Sequence, residues 1–161
     1  NLTMGLFYAA DFADRLEREI IPALRAGFVV VTDRYMYSLI ARSEVRGVNP
    51  HWVRSLLGFA LVPDAVLYLR SDVQHLIPRV LNARGFDYWE SGMDFTGYTD
   101  YYSSFIAYQT RMLQKFDELG REFGFIDIDA TGSVADVFTQ VRTQVAAIVA
   151  ELKPDHNSCP S

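Results

Sequence analysis

Asp33 and Arg34 stand side by side directly after the run Phe28-Val29-Val30-Val31-Thr32. A carboxylate in such a place can hold a magnesium ion, directly or through water. A guanidinium beside it can fork two phosphate oxygens. Together they suit a metal–phosphate substrate, although an acid–arginine pair can equally cap the helix that follows. The arginines around them add weight. Between Arg34 and Arg84 the chain carries seven (34, 42, 46, 54, 70, 79 and 84), no lysine, and only three acids, Glu44, Asp64 and Asp72. The net charge of the whole chain is −5, which argues against general nucleic-acid binding. A local arginine field in an acidic protein fits a small anionic ligand better than a polyanion.

A second group of candidates precedes the first. Tyr8, Asp11, Phe12 and Arg15 are spaced i, i+3, i+4 and i+7, so a helix would bring them to one face. That face is turned away from the stripe through Leu6, Ala13 and Ile20, so its two aromatic rings need another partner, either a ligand or a subunit interface. His51, His75 and His156 have no metal-ligand spacing, and no zinc site is expected.

The elements that must position these residues follow from periodicity. Residues 2–25 place Leu2, Leu6, Ala9, Ala13, Leu16, Ile20 and Leu24 at helical spacing, with Pro22 set to kink the last turns and Gly27 to end the helix. The apolar run at 28–32 reads as a strand buried on both faces. A helix is expected over about 35–45, and Pro50 opens another. Residues 63–70 form a second buried strand, followed by a helix from Asp72 that stops at Gly85. A glycine-bearing loop leads to a long helix over 99–120 closed by Gly120. The third strand covers 123–130, and Ser133 caps a last helix to about 152. Tyr102, Phe105, Met112, Phe116 and Leu119 are expected in the core. Alternating strands and helices imply an α/β fold with a parallel sheet covered on both faces. Ligands of such sheets bind beyond the carboxyl ends of the strands, where Asp33-Arg34-Tyr35 falls. Three strands are few for such a sheet, so an N-terminal portion with further strands is expected beyond this chain.

The chain has 161 residues, half of them hydrophobic, which suits one domain with a sizeable core. No apolar run approaches the roughly 20 residues of a membrane span. The single cysteine, Cys159, allows no internal disulfide and agrees with a reducing cytoplasm. The polar tail 153–161 is expected to be disordered.

Five blocks occur in order: YAADFADRLE (8–17), DRYMYSLIA (33–41), VPDAVLYLR (62–70), RVLNARGFDYWE (79–90) and FIDIDAT (125–131). As an ordered set with these gaps the chain resembles the thymidylate kinase family over roughly residues 2–150. The resemblance implies a P-loop NTPase-like three-layer α/β sandwich with a parallel sheet in the order 2-3-1-4-5. Residues 1–152 would be the C-terminal two-thirds of one nucleoside-monophosphate kinase domain, with a lid at about 79–97. The family's Walker A loop, G-x-x-x-x-G-K-[ST], does not occur in this sequence, and neither Lys115 nor Lys153 follows a glycine.

The resemblance also assigns roles. Tyr8 stands where the family stacks a ring on the thymine base. Phe12 replaces a base-reading arginine, a role that Arg15, one turn on, would take in part. Arg34 matches the arginine that grips the acceptor phosphate, with Asp33 as the magnesium carboxylate and Tyr35 and Ser38 lining the site. Arg42 replaces an aromatic near the base or sugar. Arg79 and Arg84 match lid arginines that stabilise the transferring phosphoryl group. In DYWE, Asp87, Trp89 and Glu90 fit the pattern, but Tyr88 replaces its arginine, which leaves catalytic charge to Arg84 and Arg79. Asp129 and Ala130 belong to the segment whose backbone contacts adenine. The implied activity is transfer of the ATP γ-phosphoryl group to dTMP or a related pyrimidine deoxynucleotide in dTTP biosynthesis, with Mg2+ and ATP, by a cytoplasmic homodimer. Two alternatives stay open: a deoxynucleoside kinase and a nucleotide-binding module without catalysis.

Overall fold

The structure is a computed structural model and describes residues 2–83 and 85–152. Arg84 and the tail 153–161, both singled out above, lie outside the described residues. The chain opens with α1 (Leu2–Arg15), a π-helical turn (Leu16–Ile20) and α2 (Ile21–Arg25), which follow one another without a break. Pro22 explains the wide turn. It lacks an N–H, and its ring crowds the carbonyl four residues back. The turn before it instead closes an i→i−5 bond, in which the Ile21 N–H donates to the Leu16 carbonyl. Gly27, at φ 81°, ends the helix as expected.

The stripe expected to face the core is only partly the one that does. Ala9, Phe12 and Leu16, at i, i+3 and i+7, are buried, whereas Leu2, Leu6 and Leu24 are exposed. The helix is apolar on two sides, and periodicity alone cannot choose between them. Phe12 therefore belongs to the buried face of α1 rather than to a separate ligand face.

Around that face the core is built mainly by helices. Met36, Tyr37, Ile40 and Ala41 of α3 (Met36–Val45) pack with Val53 of α4 (Pro50–Leu56), with Leu57 beyond it, and with Tyr108, Met112 and Leu119 of α6 (Tyr101–Phe123). Phe105 and Met112 are buried as expected, but Tyr102 is half exposed. Asn49 caps α4 through its side chain, and Asp100 caps α6. The long helix runs through Gly120 and stops at Gly124, whose φ of 68° only glycine adopts without strain. Gly120 is instead a packing position: a Cβ there would meet the Phe125 ring at 3.5 Å.

The sheet has two parallel strands, β1 (Leu67–Arg70) and β2 (Ile126–Asp129), registered from Leu67 against Ile126 to Arg70 against Asp129. Both are shorter than the sequence suggests. α5 (Val73–Ala83) and α6 connect them, and α7 (Val134–Leu152) follows β2. Ser133 starts α7 in a capping box: its Oγ accepts from the Asp136 N–H and donates to the Asp136 carboxylate. The strand expected at 28–32 is absent. The segment joins no ladder, and Phe28, Val29 and Val31 are 58–78% exposed. No strand pairs with it among the described residues, so its backbone and apolar side chains have no sheet to enter. No helix among the described residues is long and apolar enough to cross a membrane.

Candidate functional site

A cavity of about 1280 Å³ opens between segment 29–35, α1, α3, β1 and the loop that follows α5. Its lining includes most of the acceptor-side residues singled out in the sequence: Tyr8, Asp33, Arg34, Tyr35, Ser38 and Arg42. Asp87, Trp89 and Glu90 line it as well. The rest of the wall is apolar, with Val29, Val31, Leu67 and Leu69 among its residues.

The chain enters this site through a strained turn. Arg34 has φ 69°, and among the described non-glycine residues it alone has positive φ. An L-residue held there costs on the order of 1–2 kcal/mol, and such strain persists where the surroundings enforce it. After it Tyr35 returns to extended backbone and starts α3. The Tyr35 hydroxyl donates to the Leu61 carbonyl at 3.0 Å, and its ring takes Phe12 edge-on at 4.9 Å. Phe12, itself only 3% exposed, also packs on Phe59 at 5.6 Å. It packs against Tyr35 and does not line the cavity, although the sequence places it among the substrate-side residues in the position of a base-reading arginine. The reason is its place on the buried face of α1. Arg15 is likewise off the cavity, exposed and paired with Asp11 at 3.1 Å.

Ser38, Arg42 and Arg46 follow one another at four-residue intervals on α3 and all line the cavity. The two arginines are in opposite electrostatic situations. The Arg46 side chain, 13% exposed, donates to Asp94 from Nε at 3.0 Å and from Nη2 at 3.4 Å, to the Tyr108 hydroxyl at 2.7 Å and to the Trp89 carbonyl at 2.9 Å. Its guanidinium also lies 4.7 Å from the Tyr108 ring centre. Burial disfavours its charge, but Asp94 and Tyr108 outweigh that and hold its pKa above the ordinary value. Arg42, half-buried, has no hydrogen-bond or ion-pair partner among the described residues. Burial, followed by repulsion from Arg34, holds its pKa below the ordinary value, with partial relief from Tyr108 and Tyr8. Arg34 is exposed and likewise unpartnered.

Arg46 was not among the candidates, although it continues the Ser38–Arg42 spacing by one more turn. It ties the loop after α5 to α3, and other contacts fix the same loop to α6. Ser104 Oγ donates to the Ser91 carbonyl at 2.7 Å, and Gln109 Nε2 donates to the Glu90 carbonyl at 3.1 Å. Gly92, at φ 68°, lies so close to α6 that a Cβ would stand 2.8 Å from the Tyr108 Cβ. The segment bearing Asp87, Trp89 and Glu90 is thus held against the cavity by contacts on both helices.

The residues expected on the ATP side meet elsewhere. Arg79 Nη2 donates to the Ala130 carbonyl at 2.7 Å. The adjacent Asp129 carboxylate accepts from the Thr131 hydroxyl at 2.7 Å and the Thr131 N–H at 2.9 Å, bonds that hold its pKa below the usual range. Arg79, Asp129 and Ala130 therefore share the carboxyl end of β2, outside the cavity that holds Arg34. No group of three His, Cys, Asp or Glu side chains among the described residues could hold a metal. Of the histidines, His75 contacts Asp72, which caps its helix. Asp33 lies on the cavity wall, which Asp64, Asp87 and Glu90 also line. That fits magnesium, which binds through one or two carboxylates with phosphates and water completing its shell.

The chain is an α/β protein with a parallel strand pair and a cavity lined by Arg34 and Arg42, which have no partner among the described residues, together with Asp33 and the exposed Tyr8. The family model for thymidylate kinase matches residues 1–141, and the chain belongs to that family, whose fold is the P-loop NTPase type. It is 37% identical over 144 residues to a probable thymidylate kinase 2 of Saccharolobus solfataricus, which covers 88% of this chain and 68% of that protein. Probable thymidylate kinases of Pyrococcus abyssi and Thermococcus kodakarensis are each 40% identical, over 81 and 76 residues. Those matches cover 50% and 47% of this chain and 39% and 37% of the relatives.

Proposed function

We propose that the cavity at the end of segment 28–32 is the acceptor site of a nucleoside-monophosphate kinase acting on dTMP or a related pyrimidine deoxynucleotide. One observation carries the reading: Arg34, without a partner among the described residues and held at positive φ, shares a cavity with Asp33, Tyr8 and Ser38. A guanidinium without an internal anion is suited to a phosphate. In the reaction an oxygen of the acceptor phosphate bonds to the γ-phosphorus of ATP. The bond from that phosphorus to the β–γ bridging oxygen breaks, leaving ADP and a nucleoside diphosphate. Arg34 would hold the acceptor phosphate, Tyr8 would stack on the base, and Ser38 would line the sugar–phosphate path. Asp33 would hold Mg2+, which when bound neutralises phosphate charge. Arg79, Asp129 and Ala130 would serve the ATP side, with Arg84 as the lid arginine. Positioning and charge neutralisation do most of the catalytic work in such reactions.

In this reading the apolar gap between segment 28–32 and the open edge of β1 takes a further strand, in the sheet order 2-3-1-4-5. The exposed apolar side of α1, with Leu2, Leu6 and Phe7, pairs with a second copy of the chain, giving a homodimer.

Calorimetric titration of the full-length protein with dTMP, dUMP, dCMP and thymidine tests the acceptor. The expected result is that dTMP binds and that Arg34→Ala weakens it by about 1.5–3 kcal/mol, the range for hydrogen bonds to charged groups. Thymidine binding with no gain from the 5′-phosphate would instead identify a nucleoside kinase.

A further inference from the structure

The second arginine of the site has no counterpart to its neighbour's ion pair. Arg42 and Arg46 are one helical turn apart on α3 and line the same cavity. Arg46 is satisfied by Asp94, Tyr108 and Trp89. Arg42 has no hydrogen-bond or ion-pair partner among the described residues, and it shares the cavity with Arg34, whose charge is close enough to act on it. Withdrawing a guanidinium from water beside a second guanidinium is unfavourable on both counts. Such a pair is kept where an anion comes between them. No carboxylate among the described residues is bonded to Arg42: Tyr8 and Tyr108 bring hydroxyls, Asp94 is engaged by Arg46, and Asp33, Asp64, Asp87 and Glu90 line the same cavity without a hydrogen bond or ion pair to it.

We infer that Arg42 and Arg34 form a two-guanidinium clamp on a single anionic group, the acceptor's 5′-phosphate, so that Arg42 reads phosphate rather than base or sugar. This rests on the acceptor-site reading above and assigns Arg42 within it. A dianionic phosphate has enough oxygens for both donors and removes the repulsion that both arginines otherwise feel. The clamp also makes the phosphate a larger share of acceptor affinity, because one arginine approaches it from the strained turn and the other from the second turn of α3.

The test compares wild-type full-length protein with Arg42→Ala and Arg42→Gln by calorimetric titration, using dTMP, thymidine and inorganic phosphate as separate probes. Both variants should weaken dTMP roughly ten- to hundredfold, the factor expected for a hydrogen bond to a charged group. They should weaken inorganic phosphate as well and leave thymidine unchanged. Arg42→Lys should recover part of the dTMP affinity by keeping the charge. Equal losses for dTMP and thymidine would place Arg42 on the base or sugar and overturn the clamp, as would dTMP affinity unchanged in both variants. If the wild type binds phosphate in an Arg42-dependent way but gains nothing from the nucleoside, the clamp stands and the nucleotide reading falls. Wild type that binds neither dTMP nor phosphate rejects both.

Discussion

Cutting the Arg46–Asp94 link should cost more than any exposed ion pair of this chain. The two side chains are 13% and 10% exposed, so each would be left largely out of water without the other. Arg46→Ala strands the Asp94 carboxylate, removes the donors to Tyr108 and Trp89, and empties the space beside the Tyr108 ring. Removing one partner of a buried pair typically costs about 3–5 kcal/mol. Against a total stability on the order of 5–15 kcal/mol, that is a large share. Asp94→Asn keeps an acceptor oxygen for Arg46 and should cost less, about 1–3 kcal/mol. The double variant Arg46→Met/Asp94→Leu leaves no unpaired charge and should be more stable than Arg46→Ala. Urea unfolding of the four proteins gives the values, and hydrogen exchange should show faster opening of amides over 86–97 in both single variants. Effects below about 0.5 kcal/mol for both single variants, the size of an ordinary surface pair, would refute the claim that this link holds the loop.

Phe12→Ala should destabilise the chain by about 3–5 kcal/mol in thermal or urea unfolding, because the ring is core. Phe12→Leu should leave dTMP affinity near that of wild type. Gly92→Ala should cost at least about 1–3 kcal/mol and loosen the loop over α6, since its Cβ has no room and its φ is positive; unchanged unfolding would show that the loop shifts freely. Tyr68 is pushed up to about 12 by burial and the Asp117 carboxylate, against an ordinary 10.0. Its folded state prefers the neutral phenol, so its contribution to stability is complete below pH 10 and is lost as pH rises from about 10 to about 12. Ultraviolet titration should show a late tyrosinate step that Tyr68→Phe reduces, the remainder coming from Tyr35 and Tyr37, which burial also raises. The same substitution should be neutral or slightly stabilising near pH 7, because the buried hydroxyl has no hydrogen-bond partner among the described residues.

The polar side of the site was legible because it is local. The change from an apolar run to Asp33-Arg34 marks a segment end, which lies at the cavity; Ser38 and Arg42 were reached through the family resemblance, and they lie four residues apart on α3 and line the same cavity. Burial was less legible where it depends on partners far along the chain. Phe12 is buried by Tyr35 and Phe59, contacts that no helical period reveals. The same holds for Arg46, whose partner Asp94 is 48 residues away. Segment 28–32 has the composition of a strand, but a strand exists only with a neighbour to bond, and composition does not supply one. Gly120 and Gly124 show a finer limit. Gly120 read as the helix end and Gly124 as part of the strand that follows, and only the backbone reveals that Gly124 has the left-handed conformation while Gly120 sits against Phe125.

Phosphorus NMR of the full-length protein with ATP, magnesium and dTMP tests the central claim most directly. The account predicts that dTDP and ADP appear together in equal amounts, and that Arg34→Ala slows their formation while the protein stays folded. Conversion of thymidine to dTMP under the same conditions, with dTMP itself left unchanged, would contradict it.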